Sequence, residues 1–332
     1  MTDFTAQLDD RLRAHRVSFD RIPVVDIATL LDGTDKSSVA RDINWALTNV
    51  GFMYVKNHGV APHLIGDTFA QAKAFFALPE ADKMALHVST SGTTLRGYIE
   101  PFGENTDPTK TKDLKEVFDL GPETPGDLTP FFGANLWPDP NQVPGFRETV
   151  YAYHEAMRTL STRMLEGIAL SLELDEDFFA PLTTNPICIQ RLLHYPPQAG
   201  PVDESIIGIG AHTDYGNLTI LAQDDVGGLQ VMNREGGWVE APPIPGTFVI
   251  NIGDLVQRLT NDLYLANLHR VVNTSGRERY SIPFFIDADY DAEFGPLPNC
   301  VTSENPARYH AVTCGAHKFG RFRDSYPHLA RC

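Results

Sequence analysis

Cysteine is scarce in this chain of 332 residues. Its four cysteines (Cys188, Cys300, Cys314 and Cys332) show no CxxC spacing, which argues against a disulfide-stapled scaffold and against a cysteine-ligated zinc module. Positive charge is also short. The chain has 27 Lys and Arg against 43 Asp and Glu, a formal charge of −16, which disfavours nucleic acid or an anionic membrane as partner. No apolar run is long enough to cross a bilayer, because charges interrupt the longest candidates. The polar opening stretch, MTDFTAQLDDRLRAHR, contains no apolar segment of the kind a secretory signal needs. Repeats and low-complexity linkers are missing as well. These absences point to a reduced, cytoplasmic protein, and nothing in them bears on oligomeric state. With 42% apolar residues, 10% of the chain being aromatic, a sizeable core is within reach.

What is present changes character along the chain. Residues 21–27 (RIPVVDI) read as a short strand, and FMYVK as another. Between them, Val39, Ile43, Ala46, Leu47 and Val50 recur at helical spacing over residues 36–50. Residues 64–78 form a second amphipathic helix, stopped by Pro79. Residues 89–135 are rich in Gly, Pro, Thr and Asp and read as long loops around a strand at 116–120. A long helix over 145–174 follows, with Val150, Tyr153, Met157, Leu160, Met164, Ile168 and Leu172 on one face. Eight short segments then carry strand character: ICIQRLLHY, IIGIGAHTD, LTILAQ, LQVM, GWVEA, GTFVIN, ANLHRVV and RYSIPFFI. Such spacing predicts an antiparallel sandwich or barrel, with a closing helix at 306–326. The expected fold is mainly β with flanking helices, a jelly-roll core at residues 143–332 preceded by an N-terminal α/β region at 1–142. Trp45 and Trp137 read as core.

Within GIGAHTDYGNLTIL, His212 and Asp214 are separated by one residue, so on a strand both side chains leave the same face. A second histidine, His269, comes much later, in LHRVV. Two imidazoles and one carboxylate are the ligand set of the facial triad that holds non-haem Fe(II) and leaves positions open for dioxygen and a chelating co-substrate. Zn(II) accepts the same ligands, but no neighbouring Glu stands ready as the base of a hydrolase. Just beyond His269, RYS supplies Arg279 and Ser281 on one strand face. A guanidinium with a hydroxyl beside it can grip a carboxylate. Tyr195, on the strand ICIQRLLHY, would add a phenol. Arg191 shares that strand face, and a charge pointing inward needs a partner, either a substrate or an internal carboxylate. His194 alternates away from this face, and His58 belongs to a turn.

HTDYGNLTIL, NIGD (251–254), LHRVV and RYSIPFF resemble the 2-oxoglutarate/Fe(II)-dependent dioxygenases of the isopenicillin N synthase-like superfamily. IPVVDI, GFMYVKNHGV, NLWP and PARYHAVTCGAHKFGRF are also similar to members of that family, so the resemblance covers nearly the whole chain. It implies a double-stranded β-helix with Fe(II) on His212, Asp214 and His269. It further implies 2-oxoglutarate held by Arg279, Ser281 and Tyr195, and dioxygen as co-substrate. Isopenicillin N synthase itself uses the equivalent Arg-x-Ser and Tyr to hold a peptide substrate without 2-oxoglutarate, so the motif alone marks a small-anion site. The chain lacks the Gln that such synthases carry near the C-terminus, which favours the 2-oxoglutarate branch. Asp214 argues against a halogenase, in which that carboxylate is replaced. A degenerate, non-catalytic metal-binding protein would be expected to lose a ligand, and none is lost here. The expected reaction is hydroxylation of a small-molecule C–H bond with release of succinate and carbon dioxide, with desaturation or ring closure as variants. Candidate substrate contacts are Arg191, Arg96, Tyr98, Phe102, Phe118 and Phe285. The two arginines would suit an anion, and the rings a flat or apolar molecule.

Overall fold

Alternation of side chains along the later strands builds two sheets with a cavity between them. The computed structural model describes residues 22–106, 111–198 and 205–325. The larger sheet has eight strands, in the order Val24–Asp26, Phe52–Lys56, Thr247–Ile252, Leu218–Gln223, Arg279–Asp289, Pro186–Tyr195, Glu116–Leu120 and Gly97–Ile99. Its first pair is parallel and the rest are antiparallel. The smaller sheet runs Trp238–Glu240, Leu229–Met232, His269–Val271 and Ile209–His212. This is a jelly-roll core with helices packed outside it.

The helical face read from the sequence is the one that packs. In the helix Phe146–Ser171, Val150, Tyr153, Met157, Leu160, Met164 and Ile168 are all buried, and this helix packs against Lys36–Asn49 and Pro62–Phe76. One hydrophobic core takes Leu47, Phe52 and Phe75 from the N-terminal region and Met157, Ile220 and Phe284 from the later part. Cys188, Cys300 and Cys314 are free and buried, whereas Cys332 and the opening stretch lie outside the described residues. Among the described residues no helix is long and apolar enough to cross a membrane.

Four expectations need correction. Trp45 is 51% exposed: it sits two residues, about 200° of helical turn, from buried Ile43 and so faces outward. Trp137 is partly buried against the core. The closing helix is Cys314–Ser325, shorter than 306–326, because residues 306–311 run without regular structure and Arg308 and Tyr309 are tied to Asp262. A strand at Gly97–Ile99 and a helix at Asp254–Leu259 are present where neither was expected. Both are too short to show a period.

Candidate metal centre and its cavity

His212 ends one strand of the smaller sheet and His269 begins its neighbour, and the two are paired directly across the ladder. Their rings lie 4.2 Å apart between centroids. In each ring Nδ1 lies near a backbone carbonyl two residues back, Gly210 O at 2.8 Å for His212 and Asn267 O at 3.1 Å for His269. An Nδ1–H donating there leaves Nε2 as the lone-pair nitrogen. Both Nε2 atoms approach the same oxygen, Asp214 Oδ1, at 3.8 and 3.6 Å. The three ligand atoms lie within 4.8 Å of one another, the spacing of a site that could hold one ion.

Asp214 is positioned from its other oxygen. Thr219 and Asn251 are partners on adjacent strands, and both donate to Asp214 Oδ2, Thr219 Oγ1 at 2.5 Å and Asn251 Nδ2 at 2.6 Å. The NIGD motif thereby acquires a physical role. Asn251 orients the carboxylate, and Gly253 lets the backbone pass close: a Cβ there would come within 2.8 Å of Asp214 O. Burial would raise the Asp214 pKa, but His269, His212 and the two donors outweigh it and hold the carboxyl below its usual range. Burial, joined by the neighbouring His269, lowers His212 to about 4, so its imidazole is neutral at pH 7. A neutral imidazole beside an ionised carboxylate is the form a divalent cation needs.

Arg279 is fully buried. Its contacts are neutral: Nε donates to Gly227 O at 2.5 Å, Nη1 to Ser281 Oγ at 3.2 Å and Nη2 to Gln223 Oε1 at 3.2 Å. The guanidinium also stands 4.6 Å above the Tyr195 ring, and Tyr195 Oη lies 3.5 Å from Ser281 Oγ. A buried cation among neutral partners is costly unless an anion joins it. The three residues thus fit a ligand carboxylate, and all three line the cavity that also holds the triad.

That cavity takes alternate residues from its strands: Ile189, Arg191, Leu193 and Tyr195 from one, Arg279, Ser281, Pro283 and Phe285 from another. Arg191 enters with its charge already met. It makes paired hydrogen bonds to Asp119 at 2.8 and 2.7 Å and to Glu104 at 2.8 and 3.2 Å. Lys115 lies 3.5 Å from Glu104 and 3.0 Å from Asp113. Burial opposes the Lys115 charge, but Asp113 and Glu104 outweigh it and raise its pKa. Asp113 Oδ1 accepts from Gly210 N at 3.0 Å, which links this cluster to the residue whose carbonyl supports His212.

The other candidates fall elsewhere. Arg96 is buried under the loop it anchors, donating to Gly133 O at 2.6 Å and Phe131 O at 2.8 Å. Tyr98 gives its hydroxyl to Glu116 at 2.6 Å. Phe118 packs on Phe75 and Phe146, and Phe102 sits at an exposed turn with φ of 66°. None of these four lines the cavity, whereas Phe285 and Arg191 do. His194 turns outward to Glu116 at 2.6 Å and stacks on Tyr280, and His58 packs on Phe248. Sequence reasoning missed Glu104, Lys115, Asp119, Lys318 and Phe322. The last two come from the C-terminal helix and complete the cavity wall.

Residues 22–140 match the family described as the N-terminal region of the non-haem dioxygenase in morphine synthesis, and residues 186–288 match the 2OG-Fe(II) oxygenase superfamily. The chain is 36% identical over 315 residues to the 2-oxoglutarate-Fe(II) type oxidoreductase hxnY of Emericella nidulans, covering 92% of this chain and 90% of that protein. It is 37% identical to a rice homoarginine-6-hydroxylase, covering 90% and 95%. A full-length Neurospora crassa protein crystallised with alpha-KG superposes with a TM-score of 0.83 at 31% identity, covering 92% and 97%. A second structure of it holds alpha-KG and thymine, with a TM-score of 0.81 at 29% identity, covering 95% and 98%.

Proposed function

Because the chain belongs to the 2OG-Fe(II) oxygenase superfamily, and is therefore an Fe(II)- and 2-oxoglutarate-dependent oxidoreductase, we propose that it hydroxylates an unactivated C–H bond of a small-molecule metabolite. In this reading His212, Asp214 and His269 hold the iron, and Arg279, Ser281 and Tyr195 hold 2-oxoglutarate. One observation carries it. Two imidazole Nε2 atoms converge on a single carboxylate oxygen, in the same cavity as a buried guanidinium whose hydrogen-bond partners among the described residues are neutral.

When bound, the iron with 2-oxoglutarate and dioxygen supplies the oxidising power, releasing succinate and carbon dioxide. The protein's share is positioning. Gly210 O and Asn267 O hold both imidazoles in the tautomer that offers Nε2. Thr219 and Asn251 occupy Asp214 Oδ2, which leaves Oδ1 as the oxygen that would face a metal. Arg279 would meet a carboxylate of the co-substrate with charge, and the Ser281 hydroxyl would add a hydrogen bond. Ile189, Leu193 and Phe285 give the substrate side an apolar wall that keeps water from the reacting centre. Residues 1–142 serve as the supporting N-terminal region and 143–332 as the catalytic core.

The rice relative is a homoarginine-6-hydroxylase and the Neurospora structure holds thymine. Both molecules carry N–H donors, which supports a nitrogen-bearing metabolite as substrate here. Anaerobic addition of Fe(II) and 2-oxoglutarate should give a visible charge-transfer band that excess zinc suppresses, and air should then yield slow succinate release. His212→Ala and Asp214→Ala should each abolish iron binding and succinate formation. Full turnover in either variant would overturn the assignment.

A further inference from the structure

The charge lining the substrate side names the class of molecule that fits. Arg191 is a cationic side chain of this cavity that an anionic substrate would be expected to seek, yet two carboxylates already flank it, Glu104 at 2.8 Å and Asp119 at 2.7 Å, and Lys318 is paired in turn with Asp287. Lys115 is likewise bound between Asp113 and Glu104. Among the described residues, the contacting groups are two cations, Arg191 and Lys115, and three carboxylates, Glu104, Asp113 and Asp119. These five groups carry no net positive charge to offer. Arg96, the other cation considered for an anion, is sealed beneath backbone carbonyls. Of the three carboxylates, Glu104 is the one that lines the cavity; Asp113 and Asp119 are fully buried behind it.

We infer that Glu104 is the specificity-determining residue for the substrate's polar end, and that this end is a nitrogen hydrogen-bond donor, uncharged or cationic, rather than a carboxylate. The inference rests on the oxygenase reading above and adds the charge class of its substrate. An N–H group meeting Glu104 forms a charge-assisted hydrogen bond in a site screened from water, whereas a carboxylate there faces like charge. Arg191 and Lys115 hold Glu104 in place, so the contact is preorganised. The apolar remainder of the wall, Ile189, Leu193 and Phe285, then accepts a flat or aliphatic body.

The test uses three probes of one shape and different charge: benzamidine, benzamide and benzoate. Each is titrated by calorimetry into the anaerobic Fe(II)-loaded enzyme saturated with 2-oxoglutarate, so that the Arg279 site is filled. Benzamidine should bind most tightly, benzamide next and benzoate weakest. Glu104→Gln should weaken benzamidine by about tenfold or more, the scale of one charged hydrogen bond, and should strengthen benzoate, because the cluster then becomes balanced. Glu104→Asp, which keeps the charge, should keep the wild-type order. A role confined to propping the loop would move all three probes together. Benzoate binding as tightly as benzamidine to the wild type, or an unchanged ranking in Glu104→Gln, would overturn the inference. Absence of the charge-transfer band in the wild type would instead strike the oxygenase reading itself.

Discussion

At the scale of single residues, the metal end of the cavity depends on dividing the two oxygens of Asp214 between tasks. Oδ2 takes both hydrogen bonds, from Thr219 and Asn251, and Oδ1 faces both imidazoles. Asn251→Ala should therefore leave the fold intact yet free the carboxylate to rotate, weakening Fe(II) affinity by roughly 10–100-fold, the usual cost of losing an orienting partner. An anaerobic metal titration reads this directly, and an unchanged affinity would mean the geometry holds without the donor. Much of this site was legible in the linear sequence. Arg279 and Ser281 sit at i and i+2 of one strand, so alternation alone brings that pair to one face. His212 and Asp214 share the spacing, but the strand ends at His212, and Asp214 lies in the loop beyond it, held by Thr219 and Asn251. The failures have a physical pattern too. Arg96, Tyr98 and Phe118 have the chemistry of substrate contacts, but Tyr98 and Phe118 lie on the short strands at the far edge of the larger sheet and Arg96 just before one of them. The polar atoms of Arg96 and Tyr98 go to Gly133, Phe131 and Glu116, and Phe118 packs on Phe75 and Phe146. Glu104 sits in a turn, where no periodicity says which way a side chain points.

At the scale of elements, the C-terminal helix Cys314–Ser325 is tied to the loop that carries Asp214. Lys318 forms a buried ion pair with Asp287, and Asp287 Oδ1 accepts from Asn217 N at 2.8 Å. Asp287 also presses on Gly216, where an added Cβ would lie 1.4 Å from its Oδ1. Arg321 and His317 reach Asp254 at 3.7 and 4.0 Å, and Asp254 N donates to Asp214 O at 2.8 Å. The helix thus supplies cavity wall through Lys318 and Phe322 and braces the metal loop through Asp287. None of this was readable from sequence, because Lys318 and Asp287 belong to separate elements with no shared motif. Lys318→Met would leave the Asp287 carboxylate buried without its cation, a loss of about 3–5 kcal/mol. Urea unfolding should show that loss, and Lys318→Met with Asp287→Asn should recover much of it by removing the stranded charge. A double variant no more stable than the single one would mean the pair acts through packing rather than charge.

At the scale of the whole molecule, the long helix and the larger sheet meet over a histidine that has no acid–base work in the cavity. His154 is fully buried, stacked on Tyr151 at 5.4 Å and edge-on to Phe284 at 5.1 Å. Neither of its ring nitrogens meets a hydrogen-bond partner among the described residues. Burial, with smaller contributions from Arg158 and Arg96, lowers its pKa to about 3. The consequence for stability has a definite sign. Above about pH 6.5 the ring is neutral in folded and unfolded chains alike, so it makes no pH-dependent contribution. As the pH falls below that value the unfolded chain takes up a proton that the folded chain refuses, and stability declines until the folded value near 3 is reached. Between pH 7 and pH 5 this one ring should remove about 2 kcal/mol. His212, also held neutral by burial, acts in the same direction when no metal is bound. His154→Leu replaces the imidazole with an apolar group of similar size and cannot take up the proton. The variant should lose about 2 kcal/mol less than the wild type between pH 7 and pH 5 in urea unfolding with Zn(II) present. Comparing the two pH values within each protein cancels any change in packing, so equal losses would show that the helix–sheet interface opens to protonate His154 without cost.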